Sequence, residues 1–297
     1  MWFSLTILSA FFWAVINVGN SILVAKYHKN HFFLNWTQTF FSTVILLGIA
    51  LTHDVSTPWV PILLPCAVIA YIGDVFFLWI LDRLDISVVN AAWAILAIFM
   101  SLAGFLLFHE IWTPLQFVGA SFVLIGVLII SFFHAHISFP RTLLLLGTLA
   151  LLYVPSYVAR KAALNAGEHI VPVVFWLIFG RDVFGFLWPT LHPTRRREFL
   201  RILPTCRPSY FLLAFLVVAC FFLAEYSLAV AYSTGPVSLI SVTGNVQPFF
   251  VIFLAGLTVR FVPSHAPKEL FTLRSTGIKL ASFLIVFFGL ALLGAGL

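Results

Sequence analysis

Four ionisable residues lie within long apolar segments of this sequence: Asp74, Arg181, Asp182 and Glu225. A charge near the middle of a bilayer costs at least about 2.5–3.5 kcal/mol, so an ionisable residue there is a functional candidate. A carboxylate in such a place can exchange protons with water, and an arginine can balance a carboxylate. We therefore expect Asp74 and Glu225 to act in proton coupling, and Arg181 to hold a carboxylate of the substrate or of the protein.

A structural interpretation of the same residues is a static ion pair of Arg181 with Glu225 or Asp182 that locks helices together. Neighbouring residues of a helix point about 100° apart. We therefore expect Arg181 to pair less readily with Asp182 than with a carboxylate on another helix.

Milder polar and aromatic side chains recur at helical spacing, which puts the members of each set on one helix face. They are Trp13, Asn17 and Asn20; Tyr71, one turn before Asp74; Tyr153, Tyr157 and Arg160; and Ser238, Ser241 and Asn245. We expect Asn17, Tyr157 and Asn245 to hydrogen-bond a substrate. Trp13, Tyr71 and Tyr153 would form aromatic walls beside it. Close packing between helices is the alternative role for such residues.

The elements that position these residues follow from composition. Of 297 residues, 62% are hydrophobic, 9% are charged and 34 are Phe. A soluble domain carries roughly 25% charged residues, so a soluble protein is excluded, and the many aromatic residues exclude disorder. The three cysteines stand singly, which excludes a disulfide scaffold. The apolar runs are too long and do not alternate as β-barrel strands would, so we expect an all-α, polytopic membrane protein.

About 20 helical residues cross a bilayer core. Ten segments of the sequence meet this length: 3–24, 31–52, 59–81, 87–108, 114–134, 141–161, 170–190, 209–232, 236–256 and 275–296. The first has no basic start and contains Asn17 and Asn20, so we expect a membrane span and not a cleaved signal peptide. The fifth and tenth are expected to pack on each other or at a dimer contact.

The ten segments suggest two repeats of five. A shift of 140 residues places Trp13 on Tyr153, Asn17 on Tyr157 and Trp36 on Trp176. Because five is odd, the second repeat would be inverted relative to the first, and inverted repeats place the substrate site near the midplane between the halves. We expect one repeat over 1–138 and the other over 139–297. Chance similarity between apolar segments is the alternative.

Motifs at the ends of both halves carry a family resemblance. The residues are Arg181 in the seventh span and the segments Phe108-His109-Glu110, Gln116-Phe117-Val118-Gly119, Gly235-Pro236 and Gln247-Pro248. Gln247-Pro248 is also expected to break the ninth helix. With these the chain resembles the drug/metabolite transporter superfamily, in its EamA-like ten-helix branch. The resemblance implies alternating access around a cavity lined by helices 1, 3, 4, 6, 8 and 9. Arg260 stands where the family has Glu, so the two halves have diverged.

Two arguments about membrane orientation conflict. Twelve of the sixteen Lys and Arg residues fall in loops on one predicted side, and two, Arg160 and Lys161, on the other. Positive residues stay in the cytoplasm, so this bias places both termini outside. The resemblance implies that both termini are inside. The orientation stays open.

The sequence and the resemblance together predict a secondary transporter in a bacterial plasma membrane, as a monomer or homodimer. Its cargo would be a small polar or amphipathic metabolite, amino-acid-like by the resemblance, with protons as possible partners. No cofactor, metal or nucleic acid is expected, since the nine histidines lack metal-binding spacing. A nucleotide-sugar or lipid-linked sugar translocator is one alternative. An intramembrane lipid-modifying enzyme and a non-transporting scaffold are the others.

Overall fold

The computed structural model describes residues 1–26, 30–81, 89, 91–132, 139–261 and 273–295. Every regular element in these ranges is helical, which confirms the all-α prediction. The α-helices are α1 (Trp2–Lys26), α2 (His31–Thr52), α3 (Val60–Leu81), α4 (Ala91–Leu107), α5 (Pro114–Phe132), α6 (Phe139–Asn165), α7 (Ile170–Leu191), α8 (Pro193–Ile202), α9 (Pro208–Thr234), α10 (Val237–Gly244), α11 (Gln247–Phe261) and α12 (Leu273–Ala295).

Seven apolar stretches in the described ranges are long enough to cross a membrane. They lie in α1, α2, α3, α6, α7, α9 and the combined segment of α10 and α11. The shorter apolar stretches Ala92–Leu107, Pro114–Ile129 and Leu280–Leu293 lie in α4, α5 and α12. The chain is therefore an integral multi-pass membrane protein. Each predicted span coincides with one of these stretches, and the count of ten stays a prediction because three of them are short.

The segment between the seventh and eighth predicted spans is a helix, which the sequence analysis missed. In α8 the side chains of Arg195, Arg196, Arg197 and Arg201 are exposed, whereas Phe199 is only 1% exposed. Phe199 packs against Phe33 and Trp36 of α2, with ring centroids 5.7 and 5.3 Å away. One buried aromatic residue and a basic outer face are typical of a helix that lies at a membrane surface.

Helix α6 continues beyond its predicted end at residue 161. It ends at Asn165, where Gly167 adopts φ 90° and the amide of Glu168 donates to the carbonyl of Ala163 over 3.2 Å. This is a Schellman end, which favours glycine at the left-handed position. Arg160 and Lys161, predicted at the end of the sixth span, consequently lie inside the helix and are buried, so counting them among the charges outside the membrane was wrong.

The ninth predicted span is interrupted between α10 and α11. The break lies at Asn245 and Val246, slightly before the expected break at Gln247-Pro248. Pro248 instead stands in the first turn of α11, where its missing N–H removes no helical hydrogen bond.

Packing separates a central group of helices from a peripheral pair. Helix α1 packs on α9, α10 and α11, and helix α2 packs on α7 and α9. Helix α3 packs on α6 and α7, and helix α4 packs on α6 and α10. Helices α5 and α12 pack chiefly on each other, as expected. A Cβ at Gly119 would lie 2.8 Å from the carbonyl oxygen of Gly289, so only glycine permits this approach.

Candidate functional site

Arg181, at the centre of α7, holds two carboxylates. Its Nε lies 2.9 Å from Oδ1 of Asp182 and 3.4 Å from Oδ2 of Asp74 on α3. Its guanidinium stands over the ring of Phe221 on α9, 4.4 Å from the ring centroid. The expectation that Arg181 pairs poorly with Asp182 was wrong, because the long arginine side chain folds back to the neighbouring carboxylate.

Asp74 joins this pair to a third helix. Its Oδ1 accepts a hydrogen bond from the Tyr153 hydroxyl of α6 over 2.6 Å. The side chains of Asp74 and Arg181 are 25% and 20% exposed, whereas that of Asp182 is 6% exposed. Asp74 is therefore more accessible to solvent than Asp182, the other carboxylate that pairs with Arg181.

A second ion pair lies two turns beyond Tyr153 on α6 and one turn beyond Phe221 on α9. Arg160 pairs with Glu225 through its Nη2, and each side chain is 6% exposed. The guanidinium lies beside the rings of Tyr157 and Tyr232, 5.5 and 5.9 Å from their centroids. Of the sequence interpretations, a direct pair of Arg181 with Glu225 was wrong, since Arg160 takes that carboxylate.

The two ion pairs belong to one group of side chains on α3, α6, α7 and α9, which we call the charged ring. Tyr153 and Tyr157 stand one turn apart on α6, and Phe221 and Glu225 stand one turn apart on α9. Glu225 is also close enough to interact electrostatically with Arg181 and Asp74. The members of the charged ring are Asp74, Tyr153, Tyr157, Arg160, Arg181, Asp182, Phe221 and Glu225.

The charged ring contains more acidic than basic groups. It has three carboxylates, Asp74, Asp182 and Glu225, and two guanidiniums, Arg160 and Arg181, so its formal charge is −1 when all are ionised. An uncompensated charge away from water costs several kcal/mol. The charged ring therefore favours one further positive charge, either a proton or a cationic group.

The other predicted residues lie around the charged ring. Trp13 packs edge-on against Phe221 at 5.6 Å, and Asn17 follows one turn later on α1, half-buried. Asn245 is 3% exposed and donates from Nδ2 to the carbonyl of Ser241 over 2.8 Å and, more weakly, to that of Trp93 over 3.4 Å.

Tyr71 is buried at the contact between α3 and α7, and its role in an aromatic wall stays a prediction. It is 6% exposed and packs edge-on against Phe184 of α7, with centroids 5.3 Å apart. A Cβ at Gly185 would lie 2.6 Å from its ring, so Tyr71 fills the contact between α3 and α7.

One end of the molecule is held by capping contacts that the sequence analysis did not identify. Glu110, after α4, accepts hydrogen bonds from the amides of Val237 and Ser238 over 2.6 and 3.0 Å, and from the Ser238 hydroxyl. A carboxylate at this position satisfies free N–H groups and the helix dipole of α10. Lys161 donates from Nζ to the carbonyls of Tyr232 and Gly235, both over 2.8 Å, at the end of α9.

Further side-chain contacts join the first and second halves of the chain at the same end. The Trp112 indole donates to the Ser238 hydroxyl over 2.8 Å. The Thr57 hydroxyl donates to Glu168 over 2.7 Å, and the Trp176 indole donates to the carbonyl of Val55 over 2.7 Å. We call the contacts of Glu110, Trp112, Thr57 and Trp176 the end contacts.

Within the ranges that the structure describes, no group of three or more His, Cys, Asp or Glu side chains is placed to hold a metal ion. Each carboxylate of the charged ring instead pairs with an arginine, and that of Asp74 also accepts a hydrogen bond from Tyr153.

Comparison with known proteins adds a family to this geometry. Residues 1–132 match the sequence model of the EamA-like transporter family, whose members are membrane transporters and not enzymes. A comparison with curated proteins finds no match. One solved crystal structure is similar with a TM-score of 0.71 at 16% identity, over 98% of this chain and 95% of that chain. At this identity the likeness shows the fold alone. The match over residues 1–132 supports membership of this chain in the drug/metabolite transporter superfamily.

Proposed function

We propose that the protein is a secondary transporter that moves a small polar or amphipathic metabolite, amino-acid-like in class, across a bacterial plasma membrane by alternating access. The observation that carries the proposal is the charged ring near the middle of four apolar helices. Buried charges in a membrane are rare and mark substrate and ion pathways. A fold held only by packing needs none of them.

The helix contacts support two inverted repeats, 1–138 and 139–297, that move relative to each other. Helix α3 packs on α6 and α7, and helix α9 packs on α1 and α2, so the third and eighth predicted spans each join the first two spans of the other half. Packing related in this way is what a pseudo-two-fold axis between inverted repeats would produce.

Within the charged ring we assign Asp74 as the main coupling residue and Glu225 as the second. Asp74 is the more exposed, and its contact with Arg181 is longer than that of Asp182. Protonation of Asp74 removes its attraction to Arg181 and loosens the contact between α3 and α7. A proton can then bias the two halves between two arrangements, because it binds one arrangement better than the other.

Arg181 serves in this proposal to balance the protein's own carboxylates. Both of its acidic partners come from the protein, so it is less available to a substrate carboxylate. Trp13, Tyr153 and Tyr157 would form aromatic walls, with Tyr71 supporting them from behind Asp74. Asn17 and Asn245 would supply hydrogen bonds to the cargo.

The end contacts would close one entrance. Glu110 and Trp112 lie in the first half of the chain and bind α10 of the second half. Thr57 of the first half likewise binds Glu168 of the second half. Opening that entrance requires these hydrogen bonds to break together. The arrangement with the end contacts intact would then be one of the two states of the transport cycle.

The alternative transport function fits the charges less well. A nucleotide sugar carries phosphates, and the charged ring has a formal charge of −1 before any ligand enters. A phosphate group there would add negative charge to a site already in excess, which low-dielectric surroundings make costly.

The proposal is tested by uptake of the twenty radiolabelled L-amino acids into proteoliposomes, with and without a pH gradient. We expect wild-type protein to accumulate at least one of them, and the gradient to change its level. Asp74→Asn and Glu225→Gln should lower or abolish the response to the gradient, and Arg181→Gln should lower uptake itself. Absence of uptake for every amino acid would contradict the proposed cargo, and coupling unchanged in both acidic variants would contradict their role.

A further inference from the structure

Arg160 carries hydrogen-bond donors that the protein does not use. The residue is 5% exposed, and only its Nη2 reaches Glu225. In the described part of the chain, its Nε and Nη1 have no hydrogen-bond partner. The rings of Tyr157 and Tyr232 lie beside the guanidinium but offer it only their π faces. A buried guanidinium N–H without an acceptor is unfavourable, so a ligand oxygen at this place is favoured.

Asn245, in the break between α10 and α11, supplies the opposite chemistry. Its Nδ2 donates to the carbonyls of Ser241 and Trp93, which fixes the orientation of the amide. Its Oδ1 is buried and accepts no hydrogen bond from any described residue. Asn245 is therefore an acceptor that lacks a donor.

Tyr232 connects the two unsatisfied residues. The guanidinium of Arg160 lies 5.9 Å from the centroid of the Tyr232 ring, and the Tyr232 hydroxyl lies 3.5 Å from the hydroxyl of Ser241. Ser241 stands one turn before Asn245 across the end of α10. Arg160 and Asn245 are thus linked through the contacts of Tyr232 and Ser241.

We propose that Arg160 and Asn245 bind the two polar ends of the cargo, an oxygen acceptor on Arg160 and an N–H donor on Asn245, and that the cargo carries no net negative charge. The proposal rests on the proposed transport function and specifies its substrate. The charge restriction follows from the charged ring, where Glu225 already neutralises Arg160 and one acidic group is in excess. A cargo with a carboxylate is admitted when it also carries an ammonium group.

The first test uses the amino acid taken up best in the panel of twenty. Arg160→Lys keeps a positive charge beside Glu225 but removes the Nε and Nη1 donors, so KM for uptake should rise about 10- to 100-fold, the effect of losing hydrogen bonds to a charged group. Asn245→Leu should raise KM as well. The matched control is Arg195→Lys, at an exposed arginine of α8 that pairs with Glu198 outside the charged ring, and its KM should change less than about threefold.

The second test needs no variant and therefore does not depend on their folding. Two derivatives of the same amino acid compete for uptake by wild-type protein at pH 6.5: the N-acetyl derivative, with a net negative charge, and the amide, with a net positive charge. The amide should inhibit at least tenfold more strongly than the N-acetyl derivative. Equal or stronger inhibition by the N-acetyl derivative would overturn the charge restriction.

The outcomes separate this inference from the proposed function. Uptake with an unchanged KM in Arg160→Lys overturns the role of Arg160 and leaves transport standing. Absence of uptake of all twenty amino acids by wild-type protein overturns the proposed function, and the inference with it.

Discussion

Replacing Arg160 by Gln should destabilise the protein more than replacing Glu225 by Gln, although both variants break the same ion pair. Removing one partner of a buried pair costs about 3–5 kcal/mol, because the other charge is left without compensation. Both side chains are 6% exposed, so water compensates little. The difference between the variants comes from the charges that remain in the charged ring.

The size of the difference follows from Coulomb's law. Without Glu225, the unpaired Arg160 is attracted by a net charge of −1 from Asp74, Asp182 and Arg181. Without Arg160, the unpaired Glu225 is repelled by the same net charge. If the separation is taken as about 10 Å and the effective dielectric constant as about 20, each interaction is about 1.7 kcal/mol, so the variants should differ by about 3 kcal/mol.

Thermal unfolding of the purified variants at pH 7.5 measures this difference. For a chain of 297 residues, with an unfolding entropy of about 2.1 cal/mol/K per residue, about 3 kcal/mol corresponds to roughly 5 °C in Tm. The double variant Arg160→Gln/Glu225→Gln removes both charges and should be more stable than Arg160→Gln alone. Arg195→Gln, which breaks an exposed pair with Glu198, serves as the control and should cost less than about 1 kcal/mol. An equal loss of Tm in both single variants, or a larger loss for Glu225→Gln, would refute the inference that the charged ring carries an excess negative charge.

Three other perturbations give distinct outcomes. Asp74→Asn neutralises the exposed carboxylate of the charged ring, so uptake in proteoliposomes should persist but lose its dependence on the pH gradient; full dependence would remove Asp74 from coupling. Glu110→Gln weakens the cap on α10 by about 1–2 kcal/mol, so hydrogen exchange of the Val237 and Ser238 amides should quicken, whereas protection equal to wild type would contradict the cap. Gly119→Val places a branched side chain against the backbone of Gly289, so Tm should fall by several degrees, and an unchanged Tm would show that α5 and α12 can separate without cost.

The membrane fold was predictable because its signal is apolar length alone. Helices such as α2 (His31–Thr52) and α7 (Ile170–Leu191) match their predicted spans to within one residue. Lipid leaves no other way to satisfy backbone groups along such runs. Helix α8 was missed because its four arginines and single buried Phe199 give no apolar run, although its amphipathic spacing could have indicated it.

The residues of the charged ring were predictable one at a time, but their pairing was not. Burial of Asp74, Arg181 and Glu225 follows from their apolar neighbours along the chain. The partner of Glu225 depended on the length of α6, because a helix that ended at residue 161 left Arg160 at the surface. The Ala-rich stretch before Gly167 contained the signal for a longer helix. Glu110 stood in a motif, but its cap depends on α10, which lies more than 120 residues later in the chain.

Accessibility of Asn17→Cys tests alternating access around the charged ring most directly. This position is half-buried, follows Trp13 by one turn, and carries no charge whose loss would disturb the ion pairs. With Cys66, Cys206 and Cys220 replaced by Ala, a membrane-impermeant thiol reagent is applied to one face of oriented vesicles and then to the other. We predict labelling from both faces, with an amino acid from the uptake panel slowing it. Labelling from one face only, or from neither, would contradict the account.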